Sequence, residues 1–413
     1  MKLRYVCKSW YTLISDTSFI STQLSRSWHD NDHTRIINIG ERGKICLMPT
    51  TWRSFADKPK LERPALRAPR RCTTVGNIGS SNGLICFKLD SDEGDRDIGS
   101  FSTIFMWNPL VKIFKVLPPC VFKGDSILGF GYQKPANDYK VVATCYRGRT
   151  ASRAEVYSLS LDSWKKIDAA NLPCNPYGTS VSFNGNIHWL PQELHAEGEG
   201  CVVLFKIGEE SFGEMVLPDY RPAYPSNQYD MHTQIQVANE ELCFLVSHQS
   251  KSSLSIMYLD VWVMREYGVA DSWIKKFSLV LNDSWRVSSI RLSVNGKIYH
   301  YKYHTGNQVR FVVYDPAAAD NCYRTVDVFC GRAFRYQVVI FKESLAFMDC
   351  QGLKGFYSGT LIAIMFPVFP LLVCSAETGA ERDLAEEFDL LLAENNENII
   401  FCSPLKFSIN GNS

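Results

Sequence analysis

The chain has 413 residues, 46% apolar and 21% charged, with a formal net charge of +1 at pH 7. That length allows two or three average domains or one large repeat domain, and the polarity is ordinary for a globular protein. Near-neutrality excludes the basic excess that a broad nucleic-acid footprint requires, and a 13% aromatic content favours strands over helices.

The chain opens on a predicted helix. Leu3, Val6, Trp10, Leu13 and Ile14 recur three or four residues apart and line one face. Asp16 is placed to cap a second short element, in which Phe19, Ile20 and Leu24 form an apolar stripe. Two short strands follow at Arg35–Ile39 and Lys44–Met48. The basic, proline-rich stretch Lys58–Arg71 reads as a loop entering the next unit rather than as a nuclear-import signal, since proline suits neither a helix interior nor a central strand.

From residue 34 to residue 349 one theme repeats at intervals of roughly 50 residues, the scale of a four-stranded propeller blade. Its first token is a turn followed by a short apolar strand: Asn82–Phe87, Asn184–Leu190, Glu240–Leu245, Asn295–His300 and Ser344–Met348, with a variant at Gly129–Tyr132 and Tyr139–Val142. The second token is an aromatic-centred strand, a turn and another strand. It occurs as Phe105–Pro109 with Phe114–Pro118, Glu155–Leu159 with Ser163–Ile167, and Val203–Ile207 with Phe212–Pro218. It returns as Leu259–Met264 with Ser272–Phe277, and as Phe311–Pro316 with Tyr323–Val326.

Alternating polarity and Gly, Pro and Asn punctuation mark strands and turns. An isolated hairpin cannot bury both faces, so such units stack. Five units are clear. The strand at Ser344–Met348 needs partners, and the strands near residues 35 and 45 would complete a sixth blade and close the ring. The expected fold is mostly β: about six four-stranded propeller blades over residues 34–350, with a two-sheet sandwich array as the structural alternative.

Other patterns fail on spacing. Asp90–Asp97 has the acids of a calcium loop, but its glycine is one position early and Phe101 stands where the terminal glutamate belongs. His300 and His304 lie on a strand, where four residues span about 13 Å, too far for one metal ion. No phosphate loop, nucleophile elbow or His-Glu-x-x-His motif occurs, so neither cofactor nor metal is expected. The recurring tryptophans Trp107, Trp164, Trp189, Trp262 and Trp273 read as blade core rather than as a sugar-stacking platform. After residue 350 the theme stops: fourteen apolar residues with two prolines, Leu361–Cys374, fall short of the about twenty that cross a bilayer, and an acidic stretch follows. Residues 351–413 are therefore expected to be an extension, with no membrane association. Fourteen cysteines are spread singly, without a Cys-x-x-Cys pair or a visible secretory signal. That pattern predicts reduced thiols in the cytoplasm or nucleus.

The tokens resemble the F-box-associated propeller domain of plant F-box proteins, including those of the F-box/kelch-repeat group. The matching stretches are Gly79–Cys86, Met106–Pro109, Gly129–Tyr132 with Asn137–Val141, Glu155–Leu159 with Trp164, Asn184–Trp189, and Val261–Gly268 with Ser272–Trp273. The opening run, Val6-Cys7-Lys8-Ser9-Trp10 through Leu13, Ile14 and Phe19, resembles the second half of an F-box; the leading Leu-Pro segment and first helix have no counterpart. Residues 1–28 are thus expected to be a partial F-box.

The resemblance implies a non-enzymatic substrate-recognition adaptor. The F-box would bind a Skp-type linker of a cullin–RING ubiquitin ligase through Val6, Cys7, Trp10, Leu13, Ile14 and Phe19, and the propeller would capture a target protein. The alternative is a propeller interaction module uncoupled from the ligase by its incomplete F-box. A propeller enzyme or lectin would need converging carboxylates or metal ligands. The substrate site is not assigned by the resemblance; the long loops near 90–102, 148–154, 192–200 and 220–234 are the places to look, because propellers bind partners through inter-strand loops.

Overall fold

A computed structural model describes residues 16, 18–20, 22–23, 34–39, 45–49, 72–91, 102–109, 113–120, 126–147, 150–191, 200–220, 228–282, 286–293, 296–304, 308–315, 323–330 and 337–346. The chain divides into two units, Met1–Ser358 and Gly359–Ser413, and the described residues all belong to the first. The predicted extension and the calcium-like and proline-rich stretches lie outside the described residues or nearly so.

Five four-stranded antiparallel sheets form the blades of a β-propeller. The first holds β3 (Cys72–Ser81), β4 (Leu84–Ser91), β5 (Ser102–Asn108) and β6 (Ile113–Val116). The second holds β7 (Ile127–Gln133), β8 (Asp138–Arg147), β9 (Thr150–Ser158) and β10 (Ser163–Ile167). The third holds β11 (Pro176–Phe183), β12 (Asn186–Pro191), β13 (Cys201–Lys206) and β14 (Ser211–Val216). The fourth holds β15 (Tyr229–Ala238), β16 (Glu241–Ser250), β17 (Ser253–Met264) and β18 (Trp273–Asn282). The fifth holds β19 (Arg286–Leu292), β20 (Ile298–His304), β21 (Gln308–Tyr314) and β22 (Tyr323–Cys330).

The expectation of about six four-stranded blades is corrected to five. The remaining strands, β2 (Ile45–Pro49), β1 (Thr34–Ile39) and β23 (Gln337–Lys342), make a three-stranded sheet in that order. In it β1 pairs antiparallel with β23 from Thr34↔Lys342 to Ile39↔Gln337, so strands far apart in sequence close the ring. This sheet meets the inner strands of the first and fifth blades: Ser80 Oγ donates to Ile340 O at 3.0 Å, and Arg291 Nε donates to Val338 O at 3.1 Å.

The closing strand is not the one predicted. Ser344–Ala346 is a loop rather than a strand, because its carbonyls are taken by a side chain: Asn108 Nδ2 donates to Ser344 O at 2.9 Å and to Ala346 O at 2.8 Å. The loop also crowds the first hairpin. A Cβ on Gly83, whose φ is +82°, would lie 1.9 Å from Ser344 Oγ. Asn82-Gly83 and Asn184-Gly185 both have positive φ throughout, the two-residue turn whose twist suits a hairpin.

The core is a series of clusters between blades. Neighbouring residues of a middle strand enter opposite clusters: Val141 and Tyr157 pack toward the first blade, Val142 and Val156 toward the third. Likewise Leu242 and Phe244 face the third blade while Cys243 and Leu245 face the fifth. Middle strands are buried on both faces, which is why they read as apolar runs rather than alternating ones. Two tryptophans latch one blade to the one before it: Trp164 Nε1 donates to Pro118 O at 2.8 Å and Trp273 Nε1 to Val216 O at 3.0 Å. Trp189 packs so closely on the second blade that a Cβ on Gly129 would fall 1.9 Å from its ring.

A buried polar chain joins the third and fourth blades. Asn186 Nδ2 donates to Tyr267 Oη at 2.7 Å, Tyr267 Oη lies 2.9 Å from His188 Nε2, and His188 Nδ1 lies 3.0 Å from Val181 O. A carbonyl can only accept, so Nδ1 carries the proton and Nε2 accepts from the tyrosine. The ring is fully buried, and burial lowers its pKa from 6.5 to about 4.

Two predictions follow from closure and from this buried ring. A chain ending at Ser358 keeps the cooperative melt of the full chain, whereas one ending at Cys330 loses β23 and aggregates; circular dichroism melts distinguish them. For His188, the unfolded chain takes up a proton below about pH 6.5 that the folded chain refuses until about pH 4. This residue therefore withdraws stability as pH falls through that window, by roughly 3 kcal/mol at most. Urea midpoints of His188→Gln will fall less steeply between pH 7 and pH 4.5 than those of the wild type.

Candidate functional site

Of the residues expected to contact a Skp-type linker, Val6, Cys7, Trp10, Leu13 and Ile14 lie outside the described residues. Phe19 is described and exposed, in a short helical segment whose cap is the predicted one. Asp16 Oδ1 accepts from the Ser18 amide at 2.9 Å, the Phe19 amide at 3.2 Å and the Ser18 hydroxyl. These bonds, the Ser18 hydroxyl foremost, hold the Asp16 carboxyl below its ordinary range. Ile20 is buried, and Gln23 Nε2 donates to Glu343 O at 3.3 Å, just after the closing strand. The segment thus rests on the propeller and turns Phe19 outward.

The predicted loops are corrected in part, since 150–154 belongs to β9 and 229–234 to β15, which leaves only two residues between β8 and β9; topology places the connections concerned at one end of the propeller. Inner strands run in a common direction, as the contacts Ile78–Ser180 and Ser81–Ser182 between β3 and β11 show. Strands alternate within a blade, so second-to-third connections and blade-to-blade connections emerge where the inner strands begin. The connections β4–β5, β8–β9, β12–β13 and β14–β15 are of these two kinds. A scaffold of packed blades presenting long connections at one end suits partner recognition.

That end also carries exposed apolar side chains. Tyr177 opens β11 with 61% of its surface accessible, and Tyr258 and Val280 form an exposed cross-strand pair in the fourth blade. His248 stacks on Tyr258 at 5.2 Å. Behind them sits the buried carboxylate of Asp260, 2.7 Å from Lys275 Nζ and 4.0 Å from His248 Nε2. His248 is held below the ordinary histidine range, by burial first, with Asp260 opposing and Lys275 assisting. Lys275 also lies 5.4 Å from the centroid of Trp262. Sequence patterning had read Leu259–Met264 only as an aromatic-centred strand; an acid between Leu259 and Val261 was the available signal.

At the other end of the channel, where the inner strands finish, β3, β11, β15, β19 and β23 line an open cavity of about 120 Å³. Arg291 lines it, with burial drawing its pKa down from 12.5 to about 10. Among the described residues no group of three or more His, Cys, Asp or Glu side chains is placed to hold a metal ion, and no helix is long and apolar enough to cross a membrane.

Fold and site define a β-propeller with its long connections gathered at one end. A family model described as the F-box associated beta propeller domain matches residues 41–330, and the chain belongs to that family. F-box protein CPR1 of Arabidopsis thaliana is 27% identical over 308 residues, 68% of this chain and 68% of that protein. An F-box/kelch-repeat protein of the same plant is 21% identical over 302 residues, 67% of this chain and 74% of its own length. Among solved structures, TolB from Acinetobacter baumannii gives a TM-score of 0.47 at 11% identity, covering 78% of this chain and 71% of that one.

Removing one member of the Asp260–Lys275 pair leaves the other poorly answered. Asp260→Asn is expected to lower stability by about 2 kcal/mol in denaturant titrations, and Lys275→Met on that background to recover part of it.

Proposed function

We propose that this chain is a target-recognition adaptor of a cullin–RING ubiquitin ligase. The observation that carries the reading is the family match over residues 41–330 together with relatives that are themselves F-box proteins. A Skp-type linker docks on the segment bearing Val6, Cys7, Trp10, Leu13, Ile14 and Phe19. The loop end of the propeller, with Tyr177 and Tyr258, takes the target protein. The chain itself makes and breaks no bond. It raises the effective concentration of target near the ubiquitin donor, so that transfer by its partners becomes quasi-intramolecular. Its near-neutral charge suits a protein target better than a nucleic acid. It acts in the cytoplasm or the nucleus.

Phe19 supports this reading: an apolar ring held outward beside a docked, capped segment is suited to contact a partner. The test is a pull-down of the full chain by a purified Skp-type linker, with a complete F-box relative as control. Retention of the wild type, lost in Trp10→Ala and Phe19→Ala but kept in Tyr177→Ala and Tyr258→Ala, is expected. No retention, with the propeller folded by circular dichroism, overturns the adaptor reading and leaves an uncoupled binding module.

A further inference from the structure

The central cavity contains a cation that none of the described residues neutralises. Arg291 Nε donates to Val338 O at 3.1 Å, and Nη1 donates to Ile290 O at 3.0 Å and to Gln234 Oε1 at 2.9 Å. All three acceptors are neutral. Among the described residues no acceptor meets Nη2 and no carboxylate pairs with the guanidinium. The side chain is half-buried and lines the cavity. With a pKa near 10 it stays charged at neutral pH. A cation partly withdrawn from water without a counter-charge loses hydration, and an anion entering the cavity offsets that loss.

The cavity wall favours such an occupant. Among the described residues no aspartate or glutamate lines it. The hydroxyl of Ser182 accepts from Ser81 Oγ at 3.1 Å and keeps its own proton to donate. Thr179 lines the same wall. Ser180 is already committed, donating to Ile78 O at 2.6 Å. A volume of about 120 Å³ is ample for one small polyatomic ion.

We propose that the channel end lined by Arg291, Ser182 and Thr179 is a binding site for a small oxyanion, a phosphate or a carboxylate. The ion sits among the inner strands of the first, third and fifth blades and of the closing sheet, so its binding braces the ring where both chain termini of the propeller meet. The site lies at the opposite end from the long connections. It is therefore separate from the proposed target-capture surface.

The experiment titrates the full chain with inorganic phosphate, and in a second series with acetate, at constant ionic strength. Thermal melts are read alongside isothermal calorimetry. A saturable rise in Tm with one-site heat is expected for at least one of the two: phosphate alone marks a tetrahedral occupant, acetate alone a carboxylate, both a general oxyanion site. Arg291→Gln flattens the response. Because that variant risks misfolding, Gln234→Glu is decisive. It places a carboxylate on the position that already accepts from Arg291 Nη1. It is expected to raise Tm without added anion and to abolish the titration. A flat response of the wild type to both anions, or a response undiminished in Gln234→Glu, overturns the proposal.

Discussion

The antiparallel pairing of β1 with β23 is the constraint on which the rest of the molecule depends. Each blade is a four-stranded sheet with two apolar faces, and neighbouring sheets cover them. A linear stack would leave two faces and their strand edges in water, where exposed edges invite association. Bringing residues 34–39 against residues 337–342 places a sheet between the first and fifth blades, joined to both by the Ser80–Ile340 and Arg291–Val338 bonds. Closure is long-range in sequence and carries a loop-closure entropy that only the completed set of interfaces offsets.

Closure also separates the molecule's tasks. Once the inner strands run in one direction around the channel, every connection between second and third strands, and between successive blades, must emerge at the same end. Length and composition can vary there without touching the interblade clusters. The opposite end is held by short turns such as Asn82-Gly83 and Asn184-Gly185 and by the Asn108 clasp on the Ser344–Ala346 loop. The uncompensated guanidinium of Arg291 lies at that end.

Much of the propeller was legible in order along the chain. Apolar runs after Asn-Gly turns marked second strands, aromatic-centred pairs marked third and fourth strands, and Trp107, Trp189 and Trp273 are core while Trp164 and Trp262 are only partly buried, with Trp164 and Trp273 acting as latches between blades. Asp16 capping was readable because a cap is a contact within four residues. The closing sheet was half read. Patterning marks Arg35–Ile39 as a strand but points to the apolar run Ser344–Met348 as its partner, although Gln337–Lys342 is as apolar, with Val338, Val339, Ile340 and Phe341. Nothing local distinguishes the two, since the Asn108 side chain that holds the loop out of the sheet is 236 residues away from Ser344.

What the sequence alone determined is the repeating unit, since strand periodicity and turn chemistry are local and survive without tertiary context. The arrangement of those units was decided only by packing: five full blades with a three-stranded closure, long connections gathered at one end, Asp260 against Lys275, and Arg291 inside the channel. In a strand a polar residue signals solvent only if one face is wet. Here both faces of the middle strands are buried and the inner strands border an enclosed channel, so the residues that patterning assigns to water are the ones the ring encloses.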